Sequence, residues 1–255
     1  MQVTFLGTGT SQGVPVIGCD CVVCRSLDFR DKRLRVSIHV EVEGRSLVFD
    51  TGPDFRMQML REHILHLDAV VFTHAHKDHT AGLDDVRPFN FRQNSDIPLY
   101  GQPEVLEQIK VEFAYAFAEK KYPGIPRLEL NPIQNEPFEV LGLTLTPIQV
   151  MHHKLPVFGY RIGDFSYITD ANFIAEEELE KLKGTRVMVI NALHKGPKHL
   201  SHYTLPEALE VIERVQPETA YLTHISHNMG LHAAVEAELP PHVHLAYDGL
   251  KITLE

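Results

Sequence analysis

Within six positions, His74, His76, Asp78 and His79 offer three imidazoles and one carboxylate, directly after the apolar run Asp68-Ala-Val-Val-Phe72. Neutral imidazole and carboxylate are good ligands for zinc, manganese or iron, and four so close together are hard to satisfy as ordinary solvated side chains. In a tight turn after a strand, His74 and His76 point to one side and Asp78 and His79 to the other. One loop can therefore serve two ions roughly 3.5–4 Å apart, a recognised hydrolytic arrangement. A binuclear centre needs more ligands than this stretch holds, so further histidines and a bridging aspartate are expected elsewhere in the chain.

Strand ends supply them. The apolar run before His74 reads as a short buried strand, which delivers its ligands to the carboxyl edge of a sheet, where α/β folds place their sites. Pro147-Ile-Gln-Val150 runs into Met151-His152-His153. Alternation along a strand lets one of the two imidazoles face a given site, and His152 is the candidate. Phe158–Ile162 and Phe165–Ile168 form a hairpin that ends at Thr169-Asp170. Asp170 reads as a bridging carboxylate, with the N-cap of a helix over Ala171–Lys183 as the competing role. Ala220–Thr223 is a strand that leads into His224-Ile-Ser-His227. Ser46–Phe49 leads into Asp50, which either orients a metal ligand through its second ring nitrogen or caps the helix expected over 54–65. His202 precedes the Thr204-Leu-Pro-Glu207 capping box, whose helix runs to Val215, and is placed to face a bound anion.

Two further stretches carry chemistry. Cys19, Cys21 and Cys24 form a C-x-C-x₂-C cluster, read as a structural zinc site lacking one ligand or as three reduced, buried thiols. Gly7-Thr-Gly-Thr-Ser-Gln-Gly13 is a glycine-rich turn that either cradles phosphate or simply turns the chain, since it has neither the lysine nor the spacing of a P-loop. The rest is scaffolding: an alternating strand over 34–42 paired with Ser46–Phe49, a short helix from Thr80, and a polar loop over 86–96 able to cover the site. A helix over Gln102–Lys120 carries an apolar stripe suited to the core or a homodimer contact.

With 44% hydrophobic and 23% charged residues in 255, the chain has the makeup of an ordinary globular protein. It is expected to fold as one domain over 1–255. No apolar run is long enough for a transmembrane helix, and the opening Met1–Leu6 reads as a strand, so no membrane association and a cytoplasmic location are expected. A net charge of −10 and no long basic run disfavour a long nucleic acid as substrate.

These residues in this order resemble the metallo-β-lactamase superfamily. The H-x-H-x-D-H stretch, His152, Asp170 and His224 carry the likeness across nearly the whole chain. It implies an α/β fold of four layers, the αββα sandwich, with two divalent ions (zinc or manganese) at one edge between the sheets. One ion would take His74, His76, His152 and Asp170, and the other Asp78, His79, His224 and Asp170. The Phe5-Leu-Gly-Thr-Gly-Thr-Ser11 opening, the cysteine triplet and Thr223-His-Ile-Ser-His227 are similar to the PhnP-type cyclic-phosphate phosphodiesterases and, more distantly, to the ribonuclease Z enzymes. That resemblance implies His227 as the fourth ligand of the structural zinc. It also implies cleavage of a small, cyclic phosphodiester by a metal-bridging hydroxide, with His202 and Asp78 as catalytic residues. A glyoxalase II-like thioesterase and a non-catalytic metal-binding or cofactor-handling protein share parts of the pattern.

Overall fold

The computed structural model describes residues 1–119 and 122–254. Two sheets face each other. The first runs Lys251–Thr253, Gln2–Gly7, Ser37–Val42, Arg45–Phe49, Ala69–Val71, Ile97–Gly101, Leu128–Pro132. The second runs Phe173–Ile174, Leu143–His152, Leu155–Ile162, Phe165–Tyr167, Val187–Asn191, Thr219–Thr223, Val243–Leu245, with Phe138–Val140 paired outside this path to Leu143–His152. Each sheet begins with antiparallel hairpin pairing and continues with parallel strands, so the same plan appears in both halves of the chain.

The period of two along each strand decides which layer a side chain joins. Phe5, Leu47, Phe49, Ala69 and Val71 meet Leu145, Phe158, Tyr160, Tyr167 and Val189 between the sheets. Their neighbours Leu6, Val48, Val70 and Phe72 turn outward and are covered by Phe55, Met59, Phe89, Val105, Leu106 and Ile109 from helices. On the far side Met188, Ile190, Ala220 and Leu222 are covered by Leu179, Leu182, Val211, Ile212 and Val235. Helices on both outer faces of two packed sheets give the αββα sandwich.

The expected strands form, and several helices differ from the sequence reading. Residues 86–96 are not a polar loop: Arg87–Gln93 is a helix whose Phe89 ring packs edge-on against Phe55 at 6.4 Å. Pro88, Phe91 and Arg92 face outward, whereas Asn90 is buried and donates to the Ser95 and Arg127 carbonyls. The long helix expected from Gln102 breaks at Phe113, between Pro103–Glu112 and Ala114–Phe117, and its apolar stripe faces the first sheet. Lys120, its expected last residue, lies outside the described residues. The helix over Ala171–Lys183 shortens to Glu176–Leu182, because Phe173–Ile174 first pairs as a strand with Val150 and Met151.

Candidate metal centre

The backbone turns sharply where each sheet hands over its ligands. Asp50, Asp170 and His224 all hold a left-handed conformation, at φ 65, 57 and 53°. Non-glycine residues adopt that region at a cost and persist there when their surroundings over-determine them. Asp50 and His224 directly follow Arg45–Phe49 and Thr219–Thr223, and Asp170 lies three residues past Phe165–Tyr167. Asp78 and His79 sit in a one-turn helix, Lys77–Thr80, which places His79 back under His74 with ring centroids 4.1 Å apart.

The structure brings the seven expected active-site ligands together. The donor atoms of His74, His76 and His152 lie within 4.8 Å of one another, and so do those of Asp78, His79, Asp170 and His224. Asp170 joins the two sets. Its Oδ1 is 3.1 Å from His224 Nε2, and its Oδ2 is 3.3 Å from His79 Nε2. It also groups with His152 and His202, whose Nε2 lies 3.2 Å from Oδ1. His153, the alternative to His152, is exposed, and Asn172 Oδ1 accepts its backbone N–H.

Three imidazoles are fixed by their other nitrogen. His79 Nδ1 donates to Asp50 Oδ2 at 2.7 Å, His74 Nδ1 to the Thr73 hydroxyl at 3.0 Å, and His152 Nδ1 to the Ser201 carbonyl at 2.9 Å. Each such bond selects the tautomer that presents Nε2 to the cluster. Asp50 is fully buried and also takes the backbone N–H and the hydroxyl of Thr73, both at 2.8 Å. It does not cap the next helix, whose N-cap is Asp54.

Nε2 of His74, Nε2 of His79 and both ring nitrogens of His224 are buried and make no hydrogen bond. Buried polar atoms in native folds almost always have a partner, and the three orphaned Nε2 atoms, those of His79 and His224 lying 3.3 and 3.1 Å from Asp170 without hydrogen-bond geometry, belong to the donor set a divalent ion satisfies. The electrostatics agree. Burial pushes the Asp170 carboxyl up, but the imidazoles of His224 and His79 and the bond from His202 outweigh it and hold it well below the usual carboxylate range. Burial holds His74 well below the ordinary imidazole value, as a neutral ligand. Burial likewise pulls His79 down, yet Asp50 and Asp170 together lift it well above its ordinary value.

A second donor set forms at the opposite end of the chain's order. Cys19, Cys21 and Cys24 place their sulfurs 3.3, 3.4 and 3.6 Å from Nδ1 of His227. A tetrahedral ion with bonds of ~2.3 Å to sulfur and ~2.0 Å to nitrogen requires S···N separations of roughly 3.5 Å, so the four residues fit such an ion. The three thiols form no disulfide. The Cys24 backbone N–H leads in drawing the Cys21 thiol down to about 6, so a thiolate is ready, whereas burial pushes Cys24 up to about 11.

Between the two donor sets lies a cleft of about 300 Å³, lined by Thr10, Ser11 and Gln12 of the glycine-rich turn and by His202 and His224. The turn therefore borders the site. Positions not singled out from sequence also hold it. Asn191 clamps both backbone groups of Ala171, accepting its N–H at 2.8 Å and donating to its carbonyl at 2.9 Å, and so fixes the residue after Asp170. The Tyr160 hydroxyl donates to the Phe72 carbonyl at 2.6 Å, just before Thr73. A polar residue closing an apolar strand, the pattern already seen at Asp50, was the available signal for Asn191.

Residues 45–225 match the family model described as beta-lactamase superfamily domain. Among curated proteins, the chain is 41% identical over 257 residues to an octanoyltransferase of Porphyromonas gingivalis, covering all of this chain and 52% of that protein. It is 30% identical over 177 residues to a ribonuclease Z of Rippkaea orientalis, covering 64% of this chain and 48% of that one. The chain thus spans about half the length of these curated relatives. A crystal structure described as a new diphosphatase from the PhnP family superposes with a TM-score of 0.92 at 39% identity, covering 100% of this chain and 98% of that one. The fold family implies divalent metal binding, and the clustered histidines and aspartates fit it. The chain belongs to the beta-lactamase superfamily and has the metallo-β-lactamase fold, in the branch that holds the PhnP-family and ribonuclease Z proteins.

Proposed function

We propose that this protein is a binuclear metal-dependent phosphodiesterase acting on a small diester. The observation that carries the reading is Asp170, which groups with Asp78, His79 and His224 on one side and with His152 and His202 on the other, beside the orphaned Nε2 atoms of His74, His79 and His224 and under a narrow cleft. His74, His76 and His152 would hold one ion and Asp78, His79 and His224 the other, with Asp170 shared; zinc or manganese suits these donors. Such a pair supplies a Lewis-acid centre that activates water and neutralises charge on the phosphoryl and leaving oxygens.

The chain's own residues do the rest. Asp50, Thr73 and the Ser201 carbonyl orient the rings so that Nε2 faces the cluster, and His79, which Asp50 and Asp170 favour in the protonated form, would give up its Nε2 proton when it takes an ion. His202 lines the cleft beside Asp170 and is assigned a hydrogen bond to the phosphoryl or leaving oxygen. Cys19, Cys21, Cys24 and His227 hold a structural zinc in this reading, tying residues 19–24 to the segment three positions past His224. Likeness to the PhnP-family diphosphatase over 98% of its length and to ribonuclease Z supports phosphoester chemistry.

A second reading has its own observation. The relative from Porphyromonas gingivalis is named an octanoyltransferase, which favours an acyl-thioester substrate. This chain matches only 52% of that protein; of the serines lining the cleft Ser226 donates to the Leu193 carbonyl at 2.8 Å, and Ser201, whose hydroxyl lies 3.1 Å from His202 Nδ1, is not among the lining residues. Hydrolysis of bis(p-nitrophenyl) phosphate and of octanoyl and glutathione thioesters by the zinc- or manganese-loaded protein, with Asp170→Ala as blank, separates the two. Diester cleavage lost in the variant is the expected result. Thioester cleavage alone transfers the protein to the second reading, and silence on both leaves a metal-binding partner without catalysis.

A further inference from the structure

Two helices on the outer face of the first sheet, Phe55–Arg61 and Arg87–Gln93, leave a groove of about 460 Å³ between them, and no residue that lines it lines the cleft over the ligands. Met59, Ile64 and Phe89 give it an apolar floor. Leu60 and Leu65 line it too, Met57 shares the face of Leu60 three positions on, and Phe91 shares that of Pro88; these four, Met57, Leu60, Leu65 and Phe91, are 54 to 66% exposed. Single exposed hydrophobics are ordinary, but a cluster around one groove marks a contact surface. Charge singles out the same place. Arg56 and Arg92 line the groove without a carboxylate or carbonyl partner among the described residues, Arg56 reaching only the Met57 sulfur at 4.0 Å. Every other arginine among those residues is held by a carboxylate or a backbone carbonyl. Asp85 lines the groove as well, and its carboxylate has no partner and lies beyond ion-pair distance of both arginines.

We propose that this groove is the contact surface between two copies of the chain related by a twofold axis. Under a twofold each surface meets itself, so that when residue i faces residue j, j also faces i. The arginines of one copy then meet Asp85 of the other, twice over, while Met57, Leu60, Leu65 and Phe91 are covered by their counterparts. One surface thus carries both the cations and the anion that its partner needs, which a foreign partner would have to match by a separate design. Two copies at −10 each repel over the rest of their surface, and the unpaired arginines make this the face where approach costs least. A small anion entering the groove would instead meet the Asp85 carboxylate. The apolar stripe that starts at Gln102, the other surface suited by sequence to a homodimer, is buried on the first sheet.

Light scattering on the metal-loaded full chain, at micromolar concentration and low salt, is expected to give the mass of two chains. Leu60→Asp/Phe91→Asp is expected to give the mass of one, with circular dichroism and metal content unchanged, since neither residue lines the cleft. Two charge variants test the pairing. Arg56→Asp/Arg92→Asp and Asp85→Arg are each expected to weaken self-association about tenfold or more, because like charges then face each other across the twofold. Their equimolar mixture is expected to associate again, since each variant then meets opposite charge on the other. A wild-type chain that stays single overturns the proposal and leaves the groove to a different partner. A dimer that survives Leu60→Asp/Phe91→Asp overturns it as well, and so does a mixture that associates no better than its parts. Mass is read throughout, so none of these outcomes depends on which reaction the metal centre catalyses.

Discussion

Asp50 shows how a carboxylate outside the ligand set governs it. It touches no expected ion, yet it sits fully buried against His79 Nδ1 and both donors of Thr73. Asp50→Asn keeps the shape and loses the acceptor, so His79 is free to turn its proton towards the cluster. Partners of this kind are typically worth 10–100-fold in metal affinity. Competition against a chelator is expected to show that weakening for one active-site ion, with the cysteine-bound ion retained; an unchanged affinity would remove Asp50 from the site's support. His202 makes a contrasting case, because it faces Asp170 from the cleft side and is not needed to complete either triad. His202→Ala is expected to lower kcat by roughly 10²–10⁴ while metal content stays the same. Loss of an ion together with activity would make His202 a ligand instead.

At the scale of elements, the ligand loop depends on a close approach that only glycine permits. The 50–52 segment binds the ligand helix through backbone bonds, Thr51 N–H to the His79 carbonyl at 2.7 Å and Gly82 N–H to the Thr51 carbonyl at 2.8 Å. A Cβ on Gly52 would lie 2.2 Å from the Asp78 carbonyl oxygen, and one on Gly82 would lie 2.1 Å from that of Gly52. Gly52→Ala must therefore push Lys77–Thr80 outward, carrying Asp78 and His79 with it. The expected result is a folded protein that binds one active-site ion poorly and loses at least tenfold in kcat, since small misplacements of catalytic groups cost about that much or more; wild-type metal content and kcat would show that the loop adapts. Such dependence explains what could be read in advance. His74 to His79 announced themselves because their chemistry is local, and His152, Asp170 and His224 because each closes an apolar strand. Asn191, Tyr160 and Gly52 act on residues 20, 88 and about 26 positions away, and nothing beside them in sequence names those partners. The helix boundaries slipped for a related reason: apolar spacing marks a buried face, but the breaks at Phe113 and before Glu176 come from pairing and packing with distant strands.

The whole molecule also carries histidines that have nothing to do with metal, and they set its response to acid. His39 is buried between the paired strands of the first sheet, with Nε2 2.8 Å from Ser46 Oγ. Burial and then Lys251, against Glu62, pull it from 6.5 to about 4. His232 accepts from the Arg33 guanidinium at 3.2 Å, and burial, Arg33 and Arg30 likewise hold it at about 4. For both, the unfolded chain takes up a proton between pH 6.5 and 4 that the fold refuses, so stability falls as pH falls through that window. Asp248 acts in the opposite sense. Burial lifts its carboxyl to about 6, so below that pH the fold keeps a proton that the unfolded chain releases, and stability is gained on acidification. At about 1.4 kcal/mol per unit of displacement, each histidine costs roughly 3 kcal/mol at pH 4 and Asp248 returns a similar amount, which leaves a net loss near 3 kcal/mol. Metal ligands titrate as well, but their share is common to a parent and a variant that differ only at His39. His39→Gln keeps an N–H for Ser46 and cannot titrate. Urea unfolding of the two metal-loaded proteins at pH 7 and pH 5 is expected to show a loss about 2 kcal/mol smaller in the variant. The same loss in both would mean that His39 carries its proton inside the fold, and the acid sensitivity would then belong to His232 and the metal centre.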